Sequence, residues 1–476
     1  SKFVPLMTRL DKLFVDSITN NLSSIVIKGT NLLSKNVINL MLAVIFFFSA
    51  IFFIDAQPQV QLGMAIFVAV AWLWITQALP IGTTALLIPV LALISGLLPA
   101  SQAFKNFASP VIFLFMGGFA LAASLQKYGL DQLFALKMLS LAGGRPLIAI
   151  LLLFLTTALL SMWISNTATI ALMLPIALGL LSRQSAIENP SLYIFVLLGL
   201  AYSGNLGGMA TLIGSPPNAI AASAAGLSFS DWLRWGIPMF ALLFPLMIFI
   251  LYFIFKPTFP RSIVFKLNTI DYHWRRNLVI IIFSFTALGW VFSSPLSHAL
   301  GIAKGFDAML AVLAIIMLTG SKCLSFDEFV EKTNWGILLL FGGGLTLSAL
   351  LKSSGASMWL ASQISATLPA NNTWLLLLII CLFVVFLTEL VSNTASAALL
   401  VPLFMSVAVD LNLPPVVIAV VIALSASCAF MLPVATPPNA IVFSSGYVPQ
   451  KQMMRAGLLL NLIFSVVITS IATLLI

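Results

Sequence analysis

Apolar runs of membrane-spanning length recur along this chain between short polar joints, and no other feature restricts its fold so tightly. A helix needs about 20 apolar residues to cross a bilayer. In lipid every backbone N–H and C=O must be satisfied within the protein, which leaves helices or a closed barrel. The runs are continuous rather than alternating, so they read as helices. Composition agrees: 61% of residues are hydrophobic and 7% charged, against about 25% charged in a soluble domain. The expected spans are 37–54, 60–78, 82–99, 109–127, 191–222, 232–256, 276–293, 306–320, 334–351, 414–446 and 453–476.

Two further apolar stretches, 147–182 and 373–409, are broken midway by Ser-Asn-Thr. The half after each break has about 15 residues, or about 22 Å at the helical rise. That is short of a hydrocarbon core of about 30 Å. Each stretch is therefore expected to be a re-entrant hairpin with its tip near mid-membrane, buried in protein or lining a cavity. Amphipathic stretches at 131–142 and 356–369 precede the hairpins and read as interfacial helices.

With the N-terminus in the cytoplasm, all of the 22 lysines and arginines except Lys105, Arg234, Lys304 and Lys352 fall on that side. This is a strong positive-inside bias. It places the C-terminus outside and opens the first hairpin inward and the second outward. The net charge of +9 thus reports topology in a multi-pass inner (cytoplasmic) membrane protein, not a nucleic-acid surface. No cleavable signal stands out in the first 35 residues. Cys323, Cys381 and Cys428 are odd in number and lack CxxC spacing, which argues against a disulfide framework or a zinc site. His273 and His298 sit near expected helix ends and read as interfacial.

The two halves repeat each other in order. Ser165-Asn166-Thr167-Ala168 recurs as Ser392-Asn393-Thr394-Ala395, and Pro216-Pro217-Asn218-Ala219-Ile220 recurs as Pro437-Pro438-Asn439-Ala440-Ile441. Pro175 matches Pro402, Gly117-Gly118 matches Gly343-Gly344, and Ser161 matches Thr388. Each repeat holds five spans and one hairpin, so the second is inserted upside down. The expected fold class is an all-α polytopic membrane protein, with about 11 transmembrane helices plus two re-entrant hairpins in an inverted repeat. Inverted repeats with broken helices at their interface are the architecture of secondary transporters. Singly, Ser-Asn-Thr also suits an ordinary N-cap and Pro-Pro a simple kink. Their paired recurrence in opposed repeats favours a shared binding site.

Each tip presents two hydroxyls and an amide just before a helix N-terminus. Free N–H groups and the helix dipole favour an anion there without lysine or arginine. Two such tips suit the two anionic groups of a dicarboxylate. Side-chain oxygens and carbonyls freed where a helix unwinds suit sodium. Gly214 and its counterpart Ala435 allow close backbone approach, and the next residues, Ser215 and Thr436, are paired hydroxyls. Glu389 is the one carboxylate well inside a span, with Met162 as its counterpart. It reads either as a proton relay or as a structural residue with a polar partner. No nucleophile–base set points to an enzyme.

At these residues the sequence resembles the divalent-anion:sodium symporter family, specifically the bacterial INDY-type dicarboxylate transporters. The likeness rests on both Ser-Asn-Thr motifs and on segments 214–218 and 435–439, and it covers nearly the whole chain. The resemblance implies a homodimer with a scaffold and a transport domain that moves as an elevator. The division it suggests is an N-terminal cytoplasmic or interfacial segment (1–36), scaffold with a first arm (37–142) and a first transport part (147–256). Scaffold with a second arm (276–369) and a second transport part (373–476) follow. It implies at least two sodium sites, one at Ser161, Ser165, Asn166 and Gly214, and a symmetry mate at Thr388, Val391, Asn393 and Ala435. It implies substrate contacts from Asn166, Thr167, Ser215, Asn393, Thr394, Thr436 and Pro437. Succinate is the family-based expectation. A same-fold carrier of citrate or sulfate, proton coupling through Glu389, and an anion channel are the competing readings.

Overall fold

The computed structural model describes residues 35–182, 186–259, 274–302, 305–367, 372–410 and 413–474. Most of the 1–36 segment lies outside these residues, as do Arg183, Arg261, Lys266, His273 and Lys304. The described chain is helical throughout its ordered elements. The first half comprises α1 (Lys35–Phe53), α2 (Pro58–Thr76), α3 (Ile81–Ile94), α4 (Ala100–Lys105), α5 (Pro110–Lys127) and α6 (Leu130–Ser140). It continues with α7 (Pro146–Ser161), α8 (Asn166–Leu181), α9 (Pro190–Ala210), α10 (Pro216–Ala225) and α11 (Phe229–Phe255). The second half comprises α12 (Trp274–Val291), α13 (Ser293–Ala299), α14 (Phe306–Gly320), α15 (Phe326–Lys332), α16 (Trp335–Ser353) and α17 (Ala356–Thr367). It ends with α18 (Thr373–Leu390), α19 (Asn393–Asp410), α20 (Pro415–Ala426), α21 (Pro437–Ser444) and α22 (Gln450–Leu474).

The expected spans and both interrupted stretches appear as helices, with 191–222 and 414–446 each divided into two and 82–99 ending early at Ile94. Proline opens α2, α5, α7, α9, α10, α20 and α21. There its missing N–H costs nothing and its fixed φ suits the first turn. Eight of the described helices are long and apolar enough to cross a membrane, and α12 with α13 makes a ninth if that pair, bent by 82°, is one span. Three short helices, α4, α13 and α15, were not legible as spans because they are too short to cross and too polar to stand out. α4 and α15 occupy equivalent places in the two halves, before α5 and α16.

The repeat is visible in the packing. α5 of the first half packs on α14 of the second, and α16 of the second packs on α3 of the first. Both crossings use the same device. A Cβ added to Gly117 would stand 2.6 Å from the Ala311 Cβ, and one on Gly343 would stand 2.7 Å from the Ala85 Cβ. Small residues let membrane helices approach this closely, where packing rather than a hydrophobic driving force holds them together. The half-helices also interlock: α10 packs on α19 and α20, while α21 packs on α8 and α9. Each short helix thus rests on the other repeat. α9 is buried along its whole apolar window, whereas α1 is only 11% buried and α11 28%. Their exposed faces leave Phe52, Phe53 and Phe249 uncovered.

Replacing Gly117 or Gly343 by Val is expected to overpack these crossings and to cost about 1–3 kcal/mol each. The check is the melting temperature of the purified protein in detergent. Gly179→Ala, at a helical site with no heavy atom within 4 Å of the added Cβ, is expected to match or slightly exceed the parent.

Candidate functional site

The hairpin tips and the breaks in the two interrupted spans meet at one cavity of ≈ 1080 Å³. Its wall includes Ser165, Asn166 and Thr167 from the first tip and Val391, Ser392, Asn393 and Thr394 from the second. The broken spans contribute Gly214, Ser215, Pro216 and Pro217, and Ala435, Thr436, Pro437 and Pro438. α5, α16 and the turn before α3 close the opposite side, with Phe119, Ile337 and Gln77. No Lys, Arg, His, Asp or Glu lies among the lining residues. Of the residues expected at the site, all but Ser161 and Thr388 face this cavity.

Those two lie directly behind it and are fully buried. The Ser161 hydroxyl donates to Asn166 Oδ1 at 2.6 Å and lies 2.8 Å from the Gly204 carbonyl. Thr388 repeats the arrangement, 2.7 Å from Asn393 Oδ1 and 3.1 Å from the Ala426 carbonyl. In each half a hydroxyl, an amide and a carbonyl oxygen converge on one point. A hydroxyl has one proton for these two acceptors, so each cluster is rich in lone pairs. Gly214 sits in the tightest part of the first: a Cβ there would stand 2.6 Å from the Gly208 carbonyl oxygen and 3.0 Å from that of Ser161.

The breaks themselves are stapled by the paired asparagines of the double-proline motif. Asn218 Nδ2 donates to the carbonyls of Gly208 and Thr211, at 2.9 and 2.7 Å. Asn439 Nδ2 donates to those of Ala429 and Leu432, each at 3.0 Å. Both asparagines are fully buried. They satisfy carbonyls that lose their helical partners where α9 and α20 stop, as membrane depth requires. The motif was legible as a duplicated break; its asparagine's part in closing that break became visible only in three dimensions.

The four half-helices starting at the cavity are not equivalent donors. α8 opens with Asn166-Thr167, whose backbone N–H groups are free to meet an anion. Ser165 caps this helix, accepting from Ala168 N at 3.3 Å. Both readings of that Ser-Asn-Thr therefore hold, as cap and as cavity wall. α10 and α21 open with Pro-Pro, which has no N–H to offer. The tips thus offer backbone donors that the double-proline starts of the broken spans lack, while the oxygen-rich clusters of Ser161 and Thr388 lie directly behind the tips.

Asn205 joins this wall without having been expected. It lies on α9, is 1% exposed, and donates through Nδ2 to Thr436 Oγ1 of the other repeat at 3.3 Å. Thr436 Oγ1 also accepts from Asn439 N at 3.3 Å. Both contacts are received, so the hydroxyl proton remains available to a ligand. An amide inside a largely apolar run is the signal by which the sequence could have shown Asn205. Glu389, by contrast, does not line the cavity. Its carboxylate accepts from the N–H groups of Phe430, Met431 and Leu432 and from Asn461, which realises the structural alternative for this residue.

Sequence and structure comparisons agree on the kind of protein this is. A family model described as a citrate transporter matches residues 71–371 and 368–476. A Haemophilus influenzae protein called an uncharacterized transporter is 48% identical over 443 residues, 92% of this chain and 96% of that one. The sodium-dependent dicarboxylate transporter SdcS of Staphylococcus saprophyticus is 33% identical over 441 residues, covering 85% and 84% of the two chains. Its Staphylococcus aureus namesake (strain MSSA476) is 31% identical over 465 residues, covering 90% and 89%. In fold, the crystal structure of the Alcanivorax borkumensis YdaH transporter superposes with a TM-score of 0.50 at 15% identity, over 77% of this chain and 86% of that one.

Asn218→Ala and Asn439→Ala are each expected to leave two buried carbonyls unpaired. The cost is about 1–3 kcal/mol per group, seen as a lower melting temperature in detergent. Gln57→Ala, at an exposed helix start with no side-chain cap, is expected to stay within about 0.5 kcal/mol of the parent.

Proposed function

This chain belongs to the divalent-anion:sodium symporter family, and we propose that it is a sodium-coupled symporter of small C4-dicarboxylates such as succinate. The carrying observation is a single cavity lined by both Ser-Asn-Thr tips and both double-proline breaks, with no charged side chain among its lining residues. Two separated sets of donors suit two carboxylates. With no fixed cation present, co-transported sodium supplies the compensating charge. One sodium is assigned to Ser161, Ser165, Asn166 and Gly214, and another to Thr388, Val391, Asn393 and Ala435. The substrate is assigned to Asn166, Thr167, Ser215, Asn393, Thr394, Thr436 and Pro437. The name of the staphylococcal relatives supports the same reading.

Alternating access is assigned to an elevator motion within a homodimer. The hairpins and broken spans form one sliding body, and α2, α3, α5, α14 and α16 belong to the other. The interlocked packing of α10 with α19 and of α21 with α8 supports the first grouping. The small-residue crossings of α5 with α14 and of α16 with α3 support the second. The N-terminus is assigned to the cytoplasm on the charge bias. Citrate is the second substrate reading, favoured by the description of the matching family model.

Uptake of radiolabelled succinate into proteoliposomes is expected to require a sodium gradient and to be competed more strongly by C4-dicarboxylates than by citrate or sulfate. Asn166→Ala and Asn393→Ala are each expected to abolish it while folded protein persists. Equal uptake in potassium driven by a pH gradient overturns the coupling; stronger competition by citrate selects the second reading. Cysteine pairs placed between α7 or α18 and α3 are expected to stop transport when crosslinked and to release it on reduction. The three native cysteines are buried, and replacing them removes background. Full transport across several such crosslinks rules out the sliding body.

A further inference from the structure

The two broken spans unwind to different extents. α9 runs to Ala210 before α10 resumes at Pro216, whereas α20 stops at Ala426 and α21 starts at Pro437. The longer gap strips Phe430, Met431 and Leu432 of helical partners for their N–H groups. Glu389 meets all three. Oε1 accepts from Phe430 N at 2.8 Å and Met431 N at 2.9 Å, and Oε2 accepts from Leu432 N at 3.0 Å. Asn461 of α22 donates to Oε1 at 2.7 Å. The carboxylate is 3% exposed and Asn461 fully buried. From the other repeat, the buried Tyr202 hydroxyl donates to the Phe430 carbonyl at 2.7 Å.

The first repeat closes its shorter gap with different residues. Thr211 donates its hydroxyl proton to the Met162 carbonyl and accepts from Gly214 N. Met162, Thr211 and Phe240 occupy the places that Glu389, Leu432 and Asn461 hold in the second repeat. One half is held by a hydroxyl and a backbone carbonyl, the other by a carboxylate and an amide.

We propose that Glu389, held by Asn461, is the positioning residue of the second half-site: it shapes segment 427–436 so that Ala435 and the Thr436 hydroxyl meet the cavity. Glu389 touches no cargo, since it lies outside the cavity wall; it acts through the loop. Its effect on sodium affinity rests on the symport reading above, whereas its effect on the loop does not.

The test therefore has two independent readouts. The native Cys428 lies within this segment and is fully buried. With Cys323 and Cys381 replaced, Cys428 is expected to react with a hydrophilic maleimide about fivefold faster when Glu389→Gln or Asn461→Leu frees the segment. An unchanged rate in both overturns the proposal. In uptake, Glu389→Gln is expected to raise the half-saturating sodium concentration about tenfold, with the maximal rate at saturating sodium within about twofold. Unchanged sodium dependence overturns it, as does loss of a proton-driven component alone, which assigns Glu389 to proton transfer. Transplanting the first repeat's solution, Glu389→Met with Leu432→Thr and Asn461→Phe, is expected to return labelling and sodium affinity toward the parent where Glu389→Met alone does not. Failure of that rescue also counts against the proposal, and it decides the matter if Glu389→Gln does not fold. If the parent itself takes up no succinate, the symport reading falls and the labelling readout still judges the loop.

Discussion

A polypeptide that interrupts its helices at membrane depth must find internal partners for every N–H and C=O the interruption frees, and the centre of this protein is organised by that requirement. Hairpin tips and span breaks all come to one cavity. Around it, side chains do what helical hydrogen bonds no longer do. Asn218 and Asn439 each bind two carbonyls, Ser161 and Thr388 hold the tip amides, and Glu389 gathers three N–H groups. These groups stand behind the cavity wall and hold in place the tips and breaks whose hydroxyls and amides line it.

This explains why the site has no charged wall. A lysine or arginine would hold an anion firmly, but it would also need its own partner whenever the anion left. On the proposed symport reading, uncharged amides, hydroxyls and helix ends solvate an anion and a cation at moderate strength and release them together. That is the behaviour a carrier needs, where a site must be able to both fill and empty.

The inverted repeat supplies approximate symmetry, and the structure shows where it fails. The tip contacts of Ser161 and Thr388 match closely, as do the staples of Asn218 and Asn439. The longer gap after α20, Asn205 reaching across to Thr436, and the carboxylate of Glu389 have no counterpart of the same chemistry. The asymmetry has an origin in the chain itself: a longer unwound segment leaves more donors to satisfy.

Much of the fold was legible in the sequence, because membrane insertion makes hydropathy a nearly direct readout of helix placement. The interruptions at Ser165–Thr167 and Ser392–Thr394, and the double prolines at 216–217 and 437–438, stand out for the same reason: polar or helix-breaking residues in an apolar run are costly and seldom accidental. α4, α13 and α15 stayed hidden because short polar helices carry no such signature, although the repeat places α4 and α15 together in retrospect. Pairing in sequence pointed to the tips and breaks that line the cavity, though not to Asn205 and not to the division of labour among them. Whether Ser161 faces the cavity or braces Asn166, whether Glu389 opens to the cavity or closes a loop, and that Asn205 meets Thr436 depend on contacts between residues from 5 to 231 positions apart in the chain. Hydropathy and repetition are local properties that a sequence records directly. The partner of a buried hydrogen-bonding group is settled by tertiary packing alone.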